Sequence, residues 1–282
     1  MSRKITLVTD STCDLPPHLA EEHGIHVIPQ RIVWDNELYF DGIDLTSAAF
    51  YERLANSETL PESAPPTPEE FAAEFETARA ENRAEQVIAI LLSSHLSLSF
   101  VNAQAAALLV DFPVFLHDSQ TVSMGLGFAA LSAAGALRAG AGIDEILEAA
   151  RQSRRQTRIL FTVDTLEFLY RGGRMGGARH MIGTALAIKP ILAVEHGHVE
   201  AVESVRTRAR AVTRMLELAA ENTPPGSARI ALMSGGADDE ALALLEPARK
   251  QLRPQEIIEC SVSPSIGVHT GPGVLGITVC QC

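Results

Sequence analysis

The sequence predicts an α/β protein in two parts: an N-terminal three-layer α/β domain with a mainly parallel sheet, then a C-terminal α+β domain with a largely antiparallel sheet. Three observations predict it. In the first half, short β-branched runs that are apolar nearly throughout alternate with amphipathic helical stretches, the pattern of strands covered on both faces. Beyond residue 157 the texture changes to short helices and a hairpin-like pair of alternating runs joined by His-Gly. The 282 residues, 46% of them apolar, can bury one large core or two ordinary ones.

In chain order, "KITLVTD", "IHVIPQRIVW", "QVIAILL" and "FPVFLHD" read as strands. "PPHLAEEHG", "TSAAFYERLAN", "PEEFAAEFETARAEN" and "FVNAQAAALL" read as the helices between them. Thr67 followed by "PEE" predicts a helix N-cap with proline at the first helical position. Two Ala-rich helices follow, about 122–139 and 143–157, the second with Asp144 near its start, where a carboxylate favours the helix dipole. After the strand "RILFTVDT" come short helices around "LEFLYRGGRMGGARHMIGTAL" and the hairpin "KPILAVEHGHVEAVESV". A long helix over 206–222 precedes "ARIALMSGG", "DEALALLEPARKQL", "EIIECSV" and "GVLGITVC", read as strand, helix and two strands. The boundary falls near residue 157, giving domains 1–157 and 158–282.

Charge and composition exclude several functions. The net charge is −12, and the 23 Lys and Arg residues form no basic block, which argues against a nucleic-acid partner. No run approaches the ~20 apolar residues that span a bilayer, and "MSRKITLVTDST" carries no signal-peptide pattern, so a cytoplasmic protein is expected. Cys13, Cys260, Cys280 and Cys282 form no CxxC pair and have no His at ligand spacing; free thiols are expected, not a metal site. "GLGFAA" at 125–130 matches a dinucleotide fingerprint but stands too far beyond its strand, so no nucleotide cofactor is expected. GxSxG, P-loop and HExxH motifs are absent.

Hydroxyl-bearing loops at strand ends carry the functional signal. Pro61, Pro65, Pro66 and Pro68 hold a stiff extended stretch from which Ser63 projects. Ser93, Ser94, Ser97 and Ser99 sit where a parallel strand gives way to a helix, the place where open α/β sheets bind ligands; they either cap that helix or offer hydroxyls to a ligand. Asp10 and Asp118 lie in similar loops and are expected to tie them together. Arginines supply anion-clamp chemistry: Arg171, Arg174 and Arg179 among four glycines, and Arg206, Arg208 and Arg210 at a helix start. Surface solvation accounts for Arg208 and Arg210, whereas Arg206, next to a strand end, points to function. His269 and Thr270 beside Gly-Pro-Gly put polar groups at the mouth of an apolar strand.

"VTDSTCDLP", "SAPPTPEEF", "SSHLSLS", "DSQTVSMGLG", "TLEFLYRGGRM", "VESVRTRARA" and "GVHTGPGVLGI" occur in the order and spacing of the DegV family, and the resemblance covers essentially the whole chain. That family includes the acyl-carrier subunit (FakB) of bacterial fatty acid kinase. The resemblance implies one long-chain fatty acid in an apolar tunnel, its carboxylate held near the domain junction by Ser63, Ser97, Arg206 and His269. Ser94, Thr270 and Gly271 are secondary candidates, with Gly271 and Gly273 letting the backbone pass close to the ligand. It also implies a partner, an ATP-dependent kinase subunit that receives the carboxylate for acyl-phosphate formation in phospholipid synthesis, with Arg171 and Arg174 as contacts to that partner or to phosphate. The chain itself is then a non-catalytic carrier whose ligand is the fatty acid and which needs no cofactor. It departs from the family at Ser63, where Thr is usual, and at Leu98 and Ser99, where Gly and Thr are usual. Two other functions fit the residues: a Ser-His esterase pairing Ser97 with His269, with Asp10 as its acid, and a lipid-responsive regulatory protein.

Overall fold

Residues 4–178 and 188–281 are described by the computed structural model; Arg179 and Cys282 lie outside the described residues. The first half contains strands β1 (Ile5–Asp10), β2 (Ile25–Ile28), β3 (Arg31–Trp34), β4 (Glu37–Phe40), β5 (Glu62–Ala64), β6 (Gln86–Leu91) and β7 (Val114–Asp118). Its helices are α1 (Pro17–Glu22), α2 (Ser47–Asn56), α3 (Pro68–Glu81), α4 (Ser99–Ala106), α5 (Met124–Arg138) and α6 (Ile143–Gln156). A parallel sheet runs β2-β1-β6-β7, with Leu7 facing Ile25 on one side and Ile88 on the other.

The run "IHVIPQRIVW" is divided. Pro29 has no amide hydrogen to donate to a ladder, and the chain leaves the parallel sheet after Ile28. Arg31–Trp34 then joins a separate antiparallel sheet, β4-β3-β5, in which Ile32 faces Ser63. Neither β4 nor β5 was expected; the Pro-rich stretch is extended, as predicted, because it is an edge strand. Thr67 caps α3 in a full capping box: its hydroxyl accepts from the Glu70 amide at 3.2 Å and the Glu70 carboxylate accepts from the Thr67 amide at 2.7 Å.

The second half contains β8 (Thr157–Thr162), α7 (Glu167–Arg171), β9 (Lys189–Glu195), β10 (His198–Val205), α8 (Arg208–Ala220), β11 (Ala228–Gly235), α9 (Asp238–Leu252), β12 (Glu256–Ser261), α10 (Pro264–Thr270) and β13 (Val274–Gln281). Its sheet runs β10-β9-β8-β13-β11-β12, antiparallel except between β11 and β12. His196 and Gly197, both with positive φ, make the tight turn between β9 and β10. The expected boundary at 157 is the first residue of β8. One reading fails locally: residues 264–270, taken as the approach to a strand, form α10, with Pro264 in its first turn.

Period-2 alternation explains the layers. Leu160, Ile191, Ala193, Ile230, Leu232 and Ile277 face α8 and α9 on the outside of the larger sheet. Ile159, Phe161, Leu192, Val194 and Met233 face inward and share a core with α5 and with Leu7, Ile88 and Ile90 of the parallel sheet. The far face of the parallel sheet is covered by α3 and α4 through Phe71, Phe75, Ala103 and Ala106. Helix α5 therefore lies between the two sheets, packed on β1 and β6 on one side and β8 and β13 on the other. Gly127 of the "GLGFAA" segment serves this packing: a Cβ there would stand 2.9 Å from the Cys13 carbonyl. No helix among the described residues is long and apolar enough to cross a membrane.

Candidate functional site

The interlayer space not filled by α5 contains a cavity of about 180 Å³, many times what a single water needs. Its walls come from both halves: Leu92, Leu96 and Val122 on one side, Ile159, Phe161, Val194 and Met233 on the other. Gly276 of β13 also lines it, so the middle of the larger sheet carries no side chain there. Polar groups line the same cavity: Ser63 of β5, Ser97 of the loop after β6, Arg174 of the loop after α7, and His269 of α10. Arg174 is the only charged residue among the described lining residues.

His269 Nε2 and Ser63 Oγ are 2.7 Å apart. The residue is partly buried, and burial, with the nearby Arg174 cation adding to it, pushes the imidazole pKa down to about 3. His269 is therefore neutral at ordinary pH. Gly172 lies directly against it, where a Cβ would stand 2.2 Å from Nδ1. Arg174 is half-buried and anchored from both sides: Nε donates to the Leu96 carbonyl at 3.0 Å and Nη1 to the Gly172 carbonyl. Burial lowers its pKa from the usual arginine value, and no carboxylate of the described residues pairs with it. Ser97 Oγ lies 3.0 Å from Ser99 Oγ, which donates to Gln30 Oε1 at 3.1 Å, and Ser97 Oγ also accepts from the Ser99 amide at 3.2 Å. The Ser97 hydroxyl thus both accepts from the first amide of α4 and lines the cavity.

The four expected carboxylate ligands separate into two groups. Ser63, Ser97 and His269 meet at the cavity, whereas Arg206 is exposed beyond the end of β10 and is not among the lining residues. β10 is the edge strand of its sheet, so the residue after it is carried to the periphery. Arg174, expected to contact a partner or phosphate, is the arginine at the cavity. Arg171 is exposed and pairs with Glu167 at 2.6 Å. Ser94 is engaged elsewhere, its hydroxyl donating to Asp118, and Ser93 Oγ donates to the Gly197 carbonyl at 3.0 Å. Thr270 lines the cavity while its hydroxyl donates to the Ile266 carbonyl at 3.2 Å. Gly271 and Gly273 do not line it; their positive φ turns the chain from α10 into β13, where a Cβ would meet Phe168 and Asp164 respectively. Asp10 ties two loops, accepting from Thr12 and from the Leu92 amide. The structure therefore pairs His269 with Ser63, Ser97 with Ser99, and Asp10 with neither. Arg208 and Arg210 pair with Glu240 and Glu217. Leu98, with φ −79°, fits in place of a glycine without backbone strain. Thr12 and Ser123, from the hydroxyl-bearing loops after β1 and β7, also line the cavity, as does Gln30, which carried no signal in the sequence.

The family model described as "Uncharacterised protein, DegV family" matches residues 4–281. The chain belongs to the DegV family. This family member is 37% identical over 280 residues to a DegV domain-containing protein of Streptomyces coelicolor, covering 99% of each chain. It is 35% identical to Protein DegV of Bacillus subtilis, covering 98% of this chain and 99% of that one. Its fold is similar to a solved DegV family protein from Thermus thermophilus described for its fatty acid binding, with TM-score 0.89, 32% identity, and 99% and 100% of the two chains covered. Bacillus subtilis DegV, described as a fatty acid binding protein, superposes with TM-score 0.89 at 33% identity and full coverage of both chains.

Proposed function

We propose that the protein binds one long-chain fatty acid in the apolar cavity, with its carboxylate facing Ser63, Ser97, His269 and Arg174, and presents it to an ATP-dependent kinase subunit. The observation that carries this reading is the cavity's composition: apolar walls, one cation, hydroxyl and imidazole groups, and no carboxylate among the described lining residues. Each buried methylene contributes about 0.8 kcal/mol, and the donors offset the cost of desolvating a carboxylate. The solved Thermus thermophilus and Bacillus subtilis relatives, described as fatty acid binding, support the ligand class. In the kinase step a carboxylate oxygen bonds to the γ-phosphorus of ATP and the bond to the bridging oxygen breaks, giving acyl phosphate and ADP. The carrier supplies no catalytic residue and works as a cytoplasmic protein feeding phospholipid synthesis. Arg171, exposed on α7 and paired there with Glu167, is the proposed contact to an acidic partner.

Native and denaturing mass spectrometry of the protein purified from cells tests the ligand. A stoichiometric fatty acid released on unfolding is expected; a protein that is empty and refuses added palmitate overturns the reading. Esterase chemistry is the competing function, favoured by the Ser63–His269 contact. Against it, burial makes His269 a weak base, and no described carboxylate holds its Nδ1. Turnover of p-nitrophenyl butyrate by the chain alone would favour the esterase. Lipid uptake with no support of any kinase would favour the regulatory protein.

A further inference from the structure

We propose that a groove along the free edge of β12 docks an extended basic segment of a protein partner, which adds to the larger sheet as a further strand. The groove, of about 770 Å³, shares no described lining residue with the apolar cavity, so the inference stands apart from the fatty-acid reading. β12 ends its sheet and pairs with β11 alone among the described residues. Its consecutive residues Glu259, Cys260 and Ser261 line the groove, together with Leu232 and Ser234 of β11. Successive strand side chains point to opposite faces, so a groove that meets three consecutive residues follows the strand's edge. There the outward N–H and C=O groups of β12 have no strand beside them, and such an edge is a template for an added peptide strand.

The chemistry of the groove selects the occupant. Asp14, Glu21, Asp41, Asp238 and Glu259 line it, and Lys and Arg are absent from its described lining. None of these carboxylates has an ion-pair partner among the described residues. Asp14 and Asp41 accept only from hydroxyls and backbone amides, those of Ser123 and Ser263 for the first and of Ser11 and Ser265 for the second. Glu21 and Glu259 are exposed, and their carboxylates accept no hydrogen bond from a described residue. Ser263 also lines the groove; it is 7% exposed, and its Oγ has no hydrogen-bond partner among the described residues.

Two exposed aliphatic side chains, Ile43 of the loop after β4 and Leu242 of α9, share the lining. Carboxylates without cations beside exposed aliphatic groups suit a strand that alternates basic and aliphatic residues. The six residues of β12 give about 20 Å of edge, the span of a hexapeptide.

The test is fluorescence anisotropy with a labelled Lys-Val-Lys-Val-Lys-Val peptide, using the full chain and the Glu21→Lys, Glu259→Lys double variant. The wild-type chain is expected to bind, and the variant to bind about tenfold more weakly with palmitate affinity within twofold of wild type, which also shows that it folds. Should the double variant not fold, Glu259→Lys alone, at an exposed position, carries the same comparison. Two further peptides, N-methylated at the lysines or at the valines, test the strand: the set whose N–H groups face β12 should lose about tenfold, the cost of donors removed from the ladder. No binding up to about 1 mM, or equal binding by the variant, overturns the docking site. Full binding by both methylated peptides overturns the added strand, and displacement by spermidine as effective as by unlabelled peptide makes the groove a site for small polycations instead.

Discussion

The apolar cavity beside His269 and the groove lined by Asp14 and Asp41 both lie between the two halves of the chain, and their chemistry is opposite. The groove is larger, about 770 Å³, and its described lining includes Asp14, Glu21, Asp41, Asp238 and Glu259 with no Lys or Arg among the described residues. The smaller cavity has one arginine and no described carboxylate. The proposed ligand, an anion with a hydrocarbon tail, suits the second lining and not the first, so the proposal rests on donor chemistry and not on volume. Helix α10 connects the two. Asp14 accepts from the Ser263 amide at 2.9 Å and Asp41 from the Ser265 amide at 3.4 Å, at the start of the helix whose last turn carries His269. The groove's carboxylates thus hold the element that positions the cavity's imidazole.

Reversing the cavity's charge should break this contrast most severely. Arg174→Glu is expected to weaken palmitate binding roughly 100-fold, and Arg174→Met by about tenfold, since a hydrogen bond to a charged group is worth about 1.5–3 kcal/mol. Titration with a fluorescent fatty acid measures both, and affinities unchanged from wild type would remove Arg174 from the site.

On the groove side the expected effect is on stability. Burial raises the Asp14 pKa to about 7 and that of Asp41 to about 6. Between pH 4 and 7 the folded chain holds a proton on Asp14 that the unfolded chain has released, so this group's contribution is complete below about pH 4 and is lost as pH rises through 7. His269 acts in the opposite sense, because the unfolded chain gains a proton below pH 6.5 that the folded ring refuses until about pH 3. Asp14→Asn should therefore remove a slope of up to about 1.4 kcal/mol per pH unit over pH 4–7 and leave palmitate affinity unchanged. Urea denaturation at stepped pH reads the difference from wild type; parallel pH profiles would show that Asp14 ionises normally.

Ser63→Ala should sharpen the contrast more gently. Loss of one neutral hydrogen bond, about 0.5–1.5 kcal/mol, lowers palmitate affinity two- to tenfold, and Ser63→Thr should retain binding. Full affinity in Ser63→Ala would confine this hydroxyl to orienting His269. The smallest effect is expected at Arg206→Ala, whose palmitate affinity should stay within twofold of wild type because the side chain is exposed and away from the cavity. A tenfold loss there would return Arg206 to the carboxylate.

The elements that alternate with strict periodicity were readable directly. Residues 191–194 show why: Ile191 and Ala193 enter one core, Leu192 and Val194 the other, and a strand buried on both faces reads as a continuous apolar run. Three short elements were not readable. β4 and β5, of four and three residues, carry no period, and α10 has only seven residues with a proline at its start. Ser63, Ser97 and His269 were identified through motif resemblance, and each stands at the cavity. Which arginine would line the cavity was not readable, because "RGGRM" and "VRTRA" look equally suited to an anion in one dimension.

The sequence by itself determined the order of the longer strands and helices, the Thr67 capping box, the His-Gly hairpin and the lack of a basic block in the sequence, because each depends on neighbouring residues or on composition alone. The tertiary structure decided which arginine lines the cavity. β10 is an edge strand and carries Arg206 outward, while the loop after α7 folds back so that Arg174 reaches the Leu96 carbonyl across 78 positions of the chain. Arg174 becomes the cavity's cation only when the two sheets close on α5, since its Leu96 partner and one of the two apolar walls come from the opposite half.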